Sequence, residues 1–256
     1  MFDHGAFFQR MESAIQDSPP CLMYNASKRG VFILKMHLFP YDVTKGYDMK
    51  VLLINGSPRI GGNSSILLNE MIKVFKEYDV ETEEVLVGNK DIRGCIACGS
   101  CFEHDECCFK DLVNETSLKF KDADGLVVAA PVYFGSPNGT VISFLDRLFR
   151  SSRFSKKMKV GAGFAIARRG GTTASFDVLN KYFTIAGMPV ASGDYWNNGF
   201  GLAPGEIEED KEGLRNARVV AKRMVFLMNA IKDAKEKYPD LLVDEERVAT
   251  HFIKNK

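Results

Sequence analysis

From Met49 onward, short apolar runs alternate with amphipathic stretches, and this alternation restricts the fold more than any other feature of the chain. "MKVLLING" (49–56) is an unbroken apolar run ending in a turn, the mark of a strand buried on both faces. "NSSILLNEMIKVFKEY" (63–78) spaces Leu67, Met71 and Phe75 by four, on one helical face. "ETEEVLV" reads as a second strand, "LVNETSLKFKDAD" as a helix, and "GLVVAAPVYFG" (125–135) as a third strand. "NGTVISFLDRLFR" is a helix, "KVGAGFAIARRGG" (159–171) a fourth strand with a Gly-rich exit, and "TTASFDVLNKYFTIAGM" a helix ending at Gly187. "PVASGDYW" (189–196) reads as the fifth strand, and a long helix from Lys211 to Lys237 closes the core.

Strands that alternate with helices give an open parallel sheet covered on both faces. The expectation is an α/β domain over 49–256 with a five-stranded sheet in the flavodoxin-like order 2-1-3-4-5. Ligands of such sheets sit beyond the carboxyl ends of the strands, so the loops leaving the strands should build the site. Residues 1–48 have poor periodicity and a Pro-Pro pair at 19 and 20, and read as a loosely packed N-terminal extension, dispensable or the product of a misplaced start.

The formal net charge of +1 provides no field for gathering nucleic acid or anionic lipid. No apolar run approaches the roughly 20 residues of a membrane span. The N-terminus lacks the basic and apolar regions of a secretory signal. A cytoplasmic protein with reduced thiols is the expectation, which argues against disulfides among its six cysteines.

"NGSPRIGGNSS" (55–65) leaves the first strand and enters the first helix. It matches neither GxGxxG nor a P-loop. A helix N-terminus with Ser57, Asn63, Ser64 and Ser65 around it, and glycines allowing close approach, suits a terminal phosphate such as that of FMN. Read blandly, it is a Gly-rich turn capped by Asn63 or Ser64.

The stretch "GSPRIGGNSS", which includes Arg59, resembles the phosphate loop of the NADPH-dependent FMN reductase family. "APVYFGSPNGTVISFLDRL", "ARRGGTT" and "DYWNNGFGLAPGEIEEDKEGLRNAR" resemble that family's later loops, in family order, over residues 49 to about 230. The resemblance implies that Pro131, Val132, Tyr133, Phe134, Gly135 and Ser136 wrap an isoalloxazine ring. Such a ring needs an apolar slot with backbone N–H groups at its polar edge. Arg168, Arg169, Gly170 and Gly171 form a loop in which one arginine would meet reduced flavin or a nicotinamide phosphate. Tyr195 and Trp196 would cover the ring, pack across a subunit interface, or serve as buried anchors. Asp146 and Arg147 read as an exposed helix pair. The histidines at 4, 38, 104 and 251 are too scattered for a triad, and the cofactor would carry the hydride chemistry without a catalytic side chain.

"GCIACGSCFEHDECCFKD" (94–111) holds five cysteines. The run Cys95-x2-Cys98-x2-Cys101-x5-Cys107 has the compact spacing of a [4Fe–4S] site and lacks the second knuckle of a zinc site. It resembles the iron–sulfur flavoprotein branch of the same family, which implies that electrons pass from FMN to a cluster. Cys107 is the better fourth ligand by spacing, with Cys108 its rival, and Cys21 is a lone free thiol. The whole reading is an FMN-dependent NAD(P)H oxidoreductase, a homodimer or homotetramer, delivering electrons to a ferredoxin-like carrier, a quinone or a small oxidant. A cluster-free flavin or quinone reductase and a non-catalytic FMN carrier are the alternatives.

Overall fold

The computed structural model describes residues 49–246 and 248, all within the unit Gly46–Lys256. The N-terminal extension and Cys21 lie outside the described residues. Strand β1 (Met49–Asn55) leads to helix α1 (Asn63–Glu77) and strand β2 (Val80–Leu86). A short helix α2 (Ser100–His104) lies within the cysteine segment and is followed by α3 (Leu112–Asp122). Next come β3 (Gly125–Tyr133), the two-residue β4 (Ser136–Pro137), α4 (Gly139–Ser151), β5 (Val160–Ala167) and α5 (Thr172–Ile185). The last strand and α-helix among the described residues are β6 (Asn198–Phe200) and α6 (Lys211–Lys237), with a turn of 3-10 helix between them and another after α6.

The sheet runs β2-β1-β3-β5-β6, all pairs parallel, with Val51 opposite Thr82 and Leu53 opposite Val127. Set the β4 hairpin aside and this is the expected 2-1-3-4-5 order. Period-two alternation divides β1 between two cores. Val51 and Leu53 join Leu67, Phe75 and Met224 beneath α1 and α6. Leu52 and Ile54 join Phe120, Phe144, Leu148 and Phe183 beneath α3, α4 and α5. Both faces of β1 are sealed, so its apolar run shows no alternation in the sequence. Each such fully buried side chain contributes about 1.5–3 kcal/mol.

The fifth strand departs from the expected span 189–196. Residues 189–191 pair only with Gly161, and a strand forms later, at Asn198–Phe200. Asn216 of α6 explains the gap. Its Oδ1 accepts from the Asp194 N–H at 2.9 Å, and its Nδ2 donates to the carbonyls of Tyr195 and Trp196. A helix side chain therefore takes up the backbone groups that a ladder would otherwise use.

Candidate functional site

The loops after β1, β3, β5 and β6 meet at the carboxyl edge of the sheet around a cavity of about 200 Å³. Its floor is the entry to α1. Gly62 stands at the N-cap with no side chain capping the first turn, so the helix end offers free amides and the positive pole of its dipole. Ser57 and Ser64, both nearly sealed from solvent, line the cavity beside it. Asn55 shapes the turn, its Oδ1 accepting from the Ser57 N–H at 3.0 Å.

Four expected phosphate residues have their side chains engaged within the protein, Ser57 among them, its Oγ accepting from the Arg59 N–H at 3.2 Å. Ser65 Oγ accepts from Asn55 Nδ2 at 2.9 Å. Asn63 lies inside α1 and is not its cap. Its Nδ2 donates to the Ala203 carbonyl and its Oδ1 accepts from Gly205 N–H, both at 3.0 Å, which ties the first loop to the last. Arg59 reaches the same loop, donating to the Leu202 carbonyl at 2.9 Å. Of these residues Ser57, Arg59 and Asn63 line the cavity, and Ser65 does not.

The wall comes from Pro131, Val132 and Tyr133 on one side and Ile166, Ala167 and Arg168 on the other. Phe134 sits at φ +49°, in the left-handed region, with its ring fully exposed. Gly171 takes φ +86°, and a Cβ there would stand 2.8 Å from the Gly135 Cα. The two expected flavin loops thus touch through a pair of glycines. Arg169, Gly170 and Ser136 lie close in sequence to these contacts but outside the cavity lining. Tyr133, Phe134, Tyr195, Trp196 and Phe200 leave much of their rings exposed.

Sequence reading missed Asn138. It is buried after the "PVYFGSP" run, its Nδ2 donates to the Gly56 carbonyl at 3.0 Å, and its Oδ1 has no partner. An asparagine preceding a helix reads as an ordinary cap; here it bolts the third-strand loop to the first.

The cysteine loop forms a second cavity, of about 60 Å³, lined by Cys95, Cys98, Cys101, Cys107 and Cys108. No three Cys, His, Asp or Glu groups among the described residues converge closely enough for a single ion. Cys98 Sγ lies 3.4 Å from Cys108 Sγ. The Ser100 backbone N–H, then Cys108, lower the Cys98 pKa, and Cys98 raises that of Cys108.

Arg147 contradicts its reading as an exposed residue: it is 1% exposed. Burial opposes its charge, but bonds to Asp111 and Cys107 outweigh burial and raise its pKa. Asp146, its neighbour, accepts from Tyr182 Oη at 2.5 Å. Arg150 and Arg153 stack on Phe102 at 4.5 and 4.8 Å, so cations flank a loop that carries Glu103, Asp105 and Glu106. α4 joins the two cavities: Asn138 at its head holds the flavin-type loops, and Arg147, roughly 14 Å along the axis, meets the cysteines.

The model of the NADPH-dependent FMN reductase family matches residues 49–202. The chain belongs to that family. Its relatives include iron–sulfur flavoproteins of Methanocaldococcus jannaschii and Methanosarcina thermophila. Each is 34% identical over 193 residues, covering 72% and 74% of this chain and all of the relative. These place the chain in the family's iron–sulfur flavoprotein branch, as an NAD(P)H-dependent oxidoreductase. An FMN-dependent NADPH-azoreductase of Staphylococcus aureus is 29% identical over 127 residues, half of this chain and 64% of the azoreductase. Among solved structures, an NAD(P)H:quinone oxidoreductase from Methanothermobacter marburgensis superposes with a TM-score of 0.55. It is 15% identical, with 70% of this chain and 96% of that one covered, and supports the fold. Among the described residues, no helix is long and apolar enough to cross a membrane.

Proposed function

We propose that this FMN reductase family member oxidises NAD(P)H with FMN and passes electrons one at a time through a [4Fe–4S] cluster to an acceptor. That acceptor is a ferredoxin-like carrier, a quinone or a small oxidant, and the working compartment is the cytoplasm, where thiols stay reduced. When bound, FMN supplies hydride acceptance and the cluster supplies single-electron transfer.

The residues present fit both groups. The uncapped α1 terminus, with Ser57 and Ser64, suits the dianionic phosphate. Arg59 adds charge and steadies the closing loop. Pro131, Val132 and Tyr133 would give the ring an apolar wall, with Phe134 to Ser136 continuing the same loop, and Arg168 lines the same cavity from the loop after β5. Cys95, Cys98, Cys101 and Cys107 are the ligands we assign to the cluster. Exposed aromatics, Phe134 and Trp196 among them, are surface that a second subunit would cover, in a homodimer or homotetramer.

The observation that carries this reading is a cavity lined by five thiols in a fold whose other loops surround a second cavity at the uncapped end of α1. Anaerobic rapid mixing with NADPH and NADH tests the reductase half: flavin absorbance should bleach, and failure with both nucleotides would reduce the protein to a passive carrier. The close Cys98–Cys108 approach favours the second reading, a cluster-free quinone or flavin reductase. Turnover with quinone by iron-free protein at the full rate would establish it.

A further inference from the structure

One wall of the cysteine cavity is a guanidinium that the flavin cradle does not use. Arg147 projects from α4 with 1% exposure, and its Nε donates to Cys107 Sγ at 3.3 Å. Its terminal nitrogens grip Asp111, donating to Oδ2 at 2.7 Å and Oδ1 at 2.9 Å. The same fork reaches the Arg93 and Phe109 carbonyls at 3.4 and 3.5 Å, and the Phe109 ring lies 4.9 Å from it. Held on so many sides, the guanidinium has one orientation, and that orientation aims Nε at the Cys107 sulfur.

Cys107 is gripped from its backbone as well. Its N–H donates to Asn114 Oδ1, and its carbonyl accepts from Asn114 Nδ2, both at 2.9 Å. Cys108, the neighbouring thiol, instead lies exposed beside Cys98. Two adjacent thiols of equal chemistry are therefore distinguished by their surroundings. A positively charged N–H donor at a ligand sulfur stabilises the more negative, reduced state of a cluster, and so raises its potential.

We propose that Arg147 is a positioning residue for the cluster: it presents Cys107 rather than Cys108 as the fourth ligand and raises the reduction potential. This rests on the reading of the loop as a [4Fe–4S] site. Arg147→Lys keeps a cation beside Asp111 but loses the rigid fork that places a donor on the sulfur.

The test compares parent, Arg147→Lys and Cys108→Ser holoproteins, reconstituted anaerobically, for iron, sulfide, flavin potential and cluster potential. The cluster in Arg147→Lys should be harder to reduce by at least tenfold in equilibrium constant, about 59 mV for one electron. The flavin potential should stay at the parental value, and Cys108→Ser should keep its full iron. A cluster potential equal to the parent's, or iron lost from Cys108→Ser, overturns the proposal. If Arg147→Lys does not fold, the parent decides. Protein grown on arginine labelled with nitrogen-15 at Nε should show a hyperfine coupling to the reduced cluster by pulsed EPR, and its absence overturns the proposal. A parent that takes up no iron refutes the cluster reading itself, before any variant is compared.

Discussion

Gly171 and Gly135 meet where the loops after β5 and β3 touch, and a side chain at Gly171 would run into the Gly135 backbone, whereas one at Gly135 would enter open space. Gly171→Ala combines a left-handed φ with a Cβ 2.8 Å from the Gly135 Cα. The strain should cost about 1–3 kcal/mol, expressed chiefly as displaced loops. FMN titration should show affinity weakened tenfold or more, with the denaturant midpoint moved much less. Unchanged affinity would mean that these loops do not form the flavin cradle. At this scale the sequence is only partly legible. Glycines, serines and cysteines announce themselves, because their positions follow loops that the strand pattern locates. Arg147 does not. It lies on an amphipathic helix beside Asp146, and its partners Asp111 and Cys107, 36 and 40 positions away, show why it is buried. Asn63 misleads in the opposite way: it has the chemistry of a cap, but a loop 140 residues on claims its side chain.

Elements were read more reliably than residues, since periodicity alone locates β1, β3, β5 and the helices between them. β6 is the exception, because Asn216 takes the hydrogen bonds of residues 194–196 and no local pattern records a helix side chain folded against them. Asp111 shows how one residue can join two elements. It caps α3, accepting from the Val113 N–H at 3.1 Å, and it pairs with buried Arg147 of α4. Asp111→Ala removes a cap and strands a buried cation, so it should cost about 3–5 kcal/mol. A thermal scan should show a melting temperature lower by roughly 6–20 °C; a loss below about 1 kcal/mol would mean that the pair is solvated.

Lys156 closes the C-terminal end of α4, donating from a buried position to the carbonyls of Ser152 and Phe154. Burial first, then repulsion from Arg153 and Lys159, lowers its pKa from 10.5 to about 8. The unfolded chain therefore holds the proton more tightly than the native one between those values. The native-state penalty is complete below pH 8 and fades as pH rises toward 10.5. Relative to Lys156→Met, the parent should gain on the order of 3 kcal/mol of unfolding free energy across that window. Denaturant titrations at several pH values check this, and a constant difference would contradict it.

At the scale of the whole molecule, the family match and the first strand of the sheet both begin at Met49. A chain starting at Met49 should fold and bind FMN as tightly as the full chain. Loss of cooperative unfolding on that truncation would assign a structural role to residues 1–48. The fold follows from local patterns repeated along the chain, whereas the proposed cluster would rest on four of the five cysteines gathered in one loop. Its presence is therefore measured most directly by composition. Protein purified without oxygen should hold about one FMN and about four iron per chain, with broad visible absorbance beyond that of flavin that bleaches on reduction. One FMN per chain with no iron, and a spectrum of flavin alone, would contradict the account.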